Sequence, residues 1–270
     1  MTTLVFDTNV CQNQFVKSPH RDAVLERLRR SYKILASANT IYELLRGLCN
    51  SVTPAFFASD QYRFRIAIGQ SAPTLERFLD HGLVFAIANV LNVPMKEIGM
   101  GRQMFLNLTR AVLMATTLGQ LRATGVSWPI GPKRKGRKLG CSLIQADFDV
   151  MHKVFLTDFG APLDDRATWT KTLGAIFGLS LTQEQAQALS ASLDAFHTYR
   201  ESLGAEVSAG LDLAKKPNDQ MDLHQLFYLS NSNVELITSD KSMKERTKAS
   251  PQSNRVVTLQ ELLLREGLHL

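Results

Sequence analysis

Three cysteines in 270 residues, at positions 11, 49 and 141, are too scattered and odd in number for a disulfide framework. No CxxC pair is present to start a structural zinc site, so reduced thiols in a cytoplasmic setting are expected. Cys49 falls on the apolar stripe of a predicted helix, where its role is packing. No run of eighteen apolar residues occurs, so no membrane span and no membrane partner are expected. The longest apolar stretch, residues 83–93, is broken by Asn89 and Asn92 and reads as a core helix. Asp7 and Asn9 interrupt the apolar start before any h-region forms, so no secretory signal is expected. The six histidines are scattered, and no internal repeat is visible.

What is present suits a globular chain: 44% hydrophobic residues and 21% charged ones are enough for a real core. Basic residues outnumber acidic ones, 31 to 25, and the resulting charge of +6 favours a polyanionic partner. The excess is concentrated. Residues 129–138 form a Pro/Gly-framed loop whose last six positions hold Lys133, Arg134, Lys135, Arg137 and Lys138. Such a run fits phosphate contacts, although a solvated loop or a targeting signal has the same composition.

The hydrophobic pattern changes twice along the chain. Leu4, Val5 and Phe6 run into Asp7 as a short buried strand, and residues 21–30 follow as an amphipathic helix. Residues 32–36 read as a second strand, with Ile41, Leu44, Leu45 and Leu48 at helical spacing behind it. Strand, helix, strand, helix argues for a parallel sheet. From about residue 51 to 210 the segments favour helix (near 60–92, 95–124, 143–157, 167–179 and 183–206), without a convincing strand. After Lys215, Lys216 and Pro217 the α/β pattern returns. A helix is expected over 219–230, strands over 234–238 and 255–257, and a capping box at Thr258 and Glu261 opens a closing helix. The expected organisation is an α/β core, residues 1–50 and 211–270, split by a mainly helical insertion over 51–210.

Four carboxylates fall where such a core would gather them. Asp7 ends the first strand, Glu43 opens the helix after the second, Asp222 lies early in the helix of 219–230, and Asp240 follows the strand of 234–238. Ligands of open α/β sheets bind in the crevice beyond the carboxyl ends of the strands. Each acid also has a local explanation. Asp7 could cap the next helix, Glu43 could close a capping box with Thr40, Asp219 could be an N-cap, and Asp240 could start a turn. Asp222 is harder to explain locally. It shares a helix face with Leu226 and lies beside Leu229, with no Lys or Arg three or four positions away. A carboxylate on a half-buried face is costly unless paired or bound to a cation. Oxygen ligands without His or Cys imply Mg²⁺ or Mn²⁺. His224 projects about 200° round the helix from Asp222 and reads as structural.

These residues together resemble the PIN-domain nucleases: Asp7-Thr8-Asn9 after Leu-Val-Phe, Glu43 in Ile-Tyr-Glu-Leu-Leu, Asp222 in Asn-Asp-Gln-Met-Asp-Leu and Asp240 in Leu-Ile-Thr-Ser-Asp-Lys. The resemblance covers only the two end segments. It implies a PIN-like three-layer fold with a central, mainly parallel sheet, and a divalent-metal-dependent endoribonuclease. Asp7, Glu43, Asp222 and Asp240 would be catalytic; with Asp219 they would hold Mg²⁺ or Mn²⁺, and Asn9 and Thr238 would support them. RNA is the implied substrate, with DNA as the alternative, and a homo-oligomer or a protein antitoxin fits the same family. Lys241 and Lys244, with Arg246 and Lys248, cluster beside Asp240 and are expected to hold nucleic-acid backbone. The insertion is far longer than in compact members of the family. A haloacid-dehalogenase-type phosphatase would also place an Asp after the first strand, but it needs a second carboxylate where Asn9 stands. A catalytically silent RNA-binding module is the other alternative.

Overall fold

The computed structural model describes all residues except 16, 50–52, 72–81, 94–108, 124–126, 129–140, 143–144, 146–147, 150–151, 154, 157–164, 177, 217 and 270. Its centre is a four-stranded, all-parallel sheet of β1 (Thr3–Phe6), β2 (Lys33–Leu35), β5 (Val234–Thr238) and β6 (Val256–Thr258), in the order β2-β1-β5-β6. Two short strands, β3 (Ser127–Trp128) and β4 (Cys141–Ser142), pair antiparallel outside it. They correct the expectation of an insertion without strands, since two residues each are too few to show a period.

Strand periodicity explains the layers. Alternate side chains point to opposite faces. Leu4 and Phe6 therefore join one core, with Ile34, Ile237 and Val257, while Val5 joins the other, with Val234, Leu236 and Val256. The first face is covered by α1 (Arg21–Ser31), α2 (Ala38–Cys49), α3 (Pro54–Ser71) and α5 (Leu118–Ala123), together with the closing helix α11 (Leu259–Glu266). The second is covered by α4 (Gly82–Leu91), α7 (Gln183–Ser192) and α8 (Asp194–Ser208). A short helix, α9 (Asp219–Gln225), runs into a 3₁₀ turn, Leu226–Ser230, on the same side. Helix α6 (Arg166–Ile176) packs on α7, and α10 (Lys241–Arg246) follows β5. The fold is α/β with helices on both faces of a parallel sheet.

The stretch expected as an insertion does interrupt the sheet, but it is not an appendage. Leu83, Val84, Ile87, Leu189, Phe196 and Tyr199 share one core with Val5 and Leu236. Parallel strands buried on both faces need helices on both faces, and the two end segments supply most of only one. Close packing on the second face needs a glycine. A Cβ on Gly82 would meet the His224 carbonyl oxygen at 2.6 Å and the Phe227 Cβ at 2.9 Å, so α4 reaches α9 only without a side chain there.

The capping box expected at Thr258 with Glu261 is present, and Thr182 with Gln185 forms another. A third, Thr40 with Glu43, is not. Helix α2 starts earlier, and the Ser37 hydroxyl accepts the Thr40 N–H at 3.0 Å. Asp219 is the first residue of α9 rather than its cap, the cap position being held by Asn218. Among the described residues no helix is long and apolar enough to cross a membrane.

Candidate active site

β1 lies between β2 and β5, so the chain leaves it to one side and returns on the other. That reversal of direction is where an open α/β sheet forms its crevice. Phe6 stands opposite Ile237, so β1 and β5 end level, and Asp7 and Asp240 emerge at the same edge. Asp7 is 2% exposed. Its carboxylate accepts the Val10 N–H at 2.7 Å and the Thr238 hydroxyl. The next residues, Val10–Phe15, wind as a π-helix, a rare form that is frequent at functional sites. Burial pushes Asp7 up to about 6, with Asp240 adding to the rise and the hydrogen bonds from Thr238, Val10 and Ser239 opposing it.

Thr238 links the two strand-end acids. Its hydroxyl donates to Asp7 and accepts the Asp240 N–H at 2.9 Å. Asp240 also caps α10, accepting the Ser242 N–H at 2.7 Å. The capping explanation therefore holds for Asp7 through Val10, and Asp240 caps a helix where a turn start was expected, alongside their shared position. Asn9, by contrast, is exposed.

Glu43 is part-buried one turn into α2 and accepts the Thr8 hydroxyl. Burial pushes it up to about 6, with Thr8 and Arg46 opposing and Asp7 adding. Arg46, three positions on, donates to the Asn218 side chain at 3.1 Å and stacks 3.6 Å from the centre of the Phe148 ring.

Asp222 is brought to this edge by a polar network between α2 and α9. The Gln225 carboxamide donates to Thr40 Oγ1 at 3.0 Å and accepts from Ser37 Oγ at 3.1 Å. Thr40 in turn donates to the Phe6 carbonyl at 3.0 Å. Three elements are pinned together by four buried groups, all satisfied within the network. Asp222 itself has no hydrogen-bond or ion-pair partner among the described residues, in keeping with the absence of a local cation in the sequence. It is pushed well above its ordinary value, first by burial and then by Glu43, Asp240, Asp7 and Asp219.

Asp219 is differently occupied. It pairs with Arg246 at 3.3 Å, and Arg246 also forks onto Glu206 at 2.7 and 2.8 Å and donates to the buried Tyr199 hydroxyl at 2.7 Å. Arg246 is thus a structural clamp from α10 to α8, not a free phosphate contact. Lys244 is paired with Glu261, and Lys248 lies 3.8 Å from Glu245. Both lysines line an open groove of about 490 Å³ beside β6 whose acids balance most of their charge. Lys241 is exposed. The five basic residues of 133–138 lie outside the described residues. His224 stacks on Phe227, centroids 5.7 Å apart, in line with a structural role.

The four acids thus face one another electrostatically: each of Asp7, Glu43 and Asp240 raises Asp222. Among the described residues, no three His, Cys, Asp or Glu side chains stand at the spacing of a shared ligand set. Mg²⁺ commonly takes one or two protein carboxylates and completes its shell with water and substrate phosphate. Oxygen-only donors, mutual repulsion and an unpaired Asp222 fit such an ion. Sequence reasoning missed Ser37 and Gln225, and the roles that Thr40 and Thr8 take. The signal for Ser37 and Thr40 was weak, because small polar residues near helix starts read as caps, and Gln225, the last residue of its helix, carried none. Comparison with known proteins returns no match to any family model, curated protein or solved structure.

Proposed function

We propose that this chain is a divalent-metal-dependent nuclease of PIN type, cutting RNA endonucleolytically. One observation carries the proposal. Four carboxylates from β1, α2, α9 and the end of β5 gather at the carboxyl edge of a parallel sheet, where Glu43, Asp240 and Asp7 all add to the upward push on Asp222, which has no protein cation among the described residues to neutralise it. Such crowding costs stability unless a cation joins it. Mg²⁺ or Mn²⁺ would be held by Asp7, Glu43, Asp222 and Asp240, with Asp219 behind them through its Arg246 pair. Bound there, the ion supplies charge neutralisation at phosphate and a more acidic water.

The protein's own part is orientation. Thr238 fixes the Asp7 carboxylate and the Asp240 backbone in one hydrogen-bonded unit. Thr8 fixes Glu43, and Gln225 fixes the helix that carries Asp222. Attack by water in line with the leaving oxygen would leave a 5′-phosphate and a 3′-hydroxyl. Support for a nucleic-acid substrate comes from the basic segment and its flanks. β3 and β4 pair, and β4 lies against α2, the helix of Glu43. The described strands on either side of residues 129–140 thus lie beside the helix that carries Glu43.

The test is incubation of the purified chain with labelled RNA and DNA pools in Mg²⁺, Mn²⁺ or EDTA. RNA cleavage that needs the metal and disappears in Asp240→Asn is the expected result. Cleavage that persists in EDTA, or in a folded Asp240→Asn variant, overturns the proposal.

A further inference from the structure

The turn of α2 that precedes Glu43 carries a residue with no role in the network just described. Asn39 is 0% exposed, and neither its Oδ1 nor its Nδ2 has a hydrogen-bond partner among the described residues. A buried carboxamide without partners costs on the order of 1–3 kcal/mol and calls for an explanation. Neighbouring polar residues show that partners are available in this region. Ser37 and Thr40 on either side of it are both bonded to Gln225.

Helix geometry places Asn39 toward the acids. At about 100° per residue, Asn39 lies about 40° from Glu43 and about 20° from Arg46. Arg46 meets Asn218, and Thr40 meets Gln225. Helices α2 and α9 therefore run antiparallel side by side, with Asn39 on the face of α2 turned toward α9. A long helical side chain lies back over the turn N-terminal to its own Cα. Glu43 stands one turn on from Asn39, the i,i+4 relation in which helical side chains meet. Asp222 lies between Asn218 and Gln225 on the facing side of α9 and has no hydrogen-bond or ion-pair partner among the described residues.

Resting on the metal-dependent function proposed above, we infer that Asn39 is a positioning residue for the Glu43–Asp222 pair. Its Nδ2 donates to one of their carboxylates when a divalent cation draws them together. The amide is neutral, so it adds no charge to a crowded edge, and its two N–H donors match oxygens that the ion leaves free. Groups in this position behind metal ligands typically matter ~10- to 100-fold in metal affinity.

Mn²⁺ binding to the full chain, followed by electron paramagnetic resonance of the free ion, tests this without requiring activity. Four proteins are compared: the parent, Asn39→Leu, Asn39→Ser and Asp222→Asn. Asn39→Leu keeps the volume and removes the donor. It should be no less stable in EDTA, yet bind Mn²⁺ ~10- to 100-fold more weakly. Asn39→Ser restores one donor and should fall between Leu and the parent, a graded rescue that a packing role does not produce. If both variants bind Mn²⁺ as the parent does while Asp222→Asn does not, Asn39 is only a buried polar residue and the inference is wrong. If Asn39→Leu fails to fold, Asn39→Ser decides alone, and parent-level affinity overturns the inference. If the parent binds no Mn²⁺, or Asp222→Asn leaves binding unchanged, the metal-dependent function fails and this inference fails with it.

Discussion

Replacing Asp7 with Asn should stabilise the metal-free protein at neutral pH and cease to do so in acid. Asp7 rises from its ordinary 3.8 to about 6 in the folded chain, because burial disfavours its charge. A carboxyl whose folded value is raised binds its proton more tightly folded than unfolded. Stability is therefore lost as pH climbs from about 4 to about 6, and the loss is complete above that. At ~1.4 kcal/mol per tenfold in acidity, the ionised Asp7 costs about 3 kcal/mol at pH 8. An Asn side chain avoids that cost. Its carbonyl can take the Val10 N–H, and its amide can face Thr238 if that hydroxyl turns to accept, at a loss of about 1 kcal/mol. The net expectation is a gain of about 2 kcal/mol at pH 8, turning into a loss of about 1 kcal/mol below pH 4. Urea unfolding in EDTA between pH 4 and 8, with parent and variant compared at each pH, measures it. A variant destabilised equally at both ends of the range would refute the reasoning. Asp7 would then serve as a cap, and its charge would carry no cost to be relieved by a metal.

Three further outcomes are expected. Thr238→Val removes the bond that holds Asp7 down and leaves the Asp240 N–H unpaired; the acid limb of the pH–cleavage profile should move to higher pH, with about 1–3 kcal/mol of stability lost in thermal or urea unfolding. Gln225→Leu strips Ser37 and Thr40 of their shared partner; it should cost about 1–3 kcal/mol and lower cleavage more than it lowers RNA binding, as read from single-turnover and filter-binding assays. Replacing Lys133, Arg134, Lys135, Arg137 and Lys138 with Gln should weaken binding of a long RNA and flatten its salt dependence by roughly 0.7–0.9 log units per lost phosphate contact. Unchanged affinity and slope would leave that segment a solvated surface.

The four acids were legible because each stands in a local context that strand and helix patterns reveal. Leu-Val-Phe before Asp7 and Leu-Ile-Thr before Asp240 are buried runs that must end in a loop, and both proved to be parallel strands ending level. Thr258 was legible as a cap for the same reason, since a capping box needs only residues three apart. Glu43 shows the limit of that logic. Thr40 stands at the right spacing, yet its hydroxyl is spent on the Phe6 carbonyl and the Gln225 amide, so Glu43 turns to Thr8 instead.

What lay outside the sequence is what depends on partners far along the chain. Arg246 and Lys244 look like free phosphate contacts until Glu206, 40 positions away, and Glu261, 17 positions away, arrive to neutralise them. Gln225 meets Ser37 across 188 positions, a pairing no spacing rule can anticipate. Helices α4, α7 and α8 read as an insertion because composition does not tell which apolar face they cover; only the sheet's need for a second layer makes them core. The chain by itself thus set which groups carry charge and where strands and helices begin. Tertiary packing decided which charges are cancelled and which, like Asp222, are left to a metal or to nothing. Burial and long-range pairing set an ionisable group's energy, and both are properties of the assembled fold.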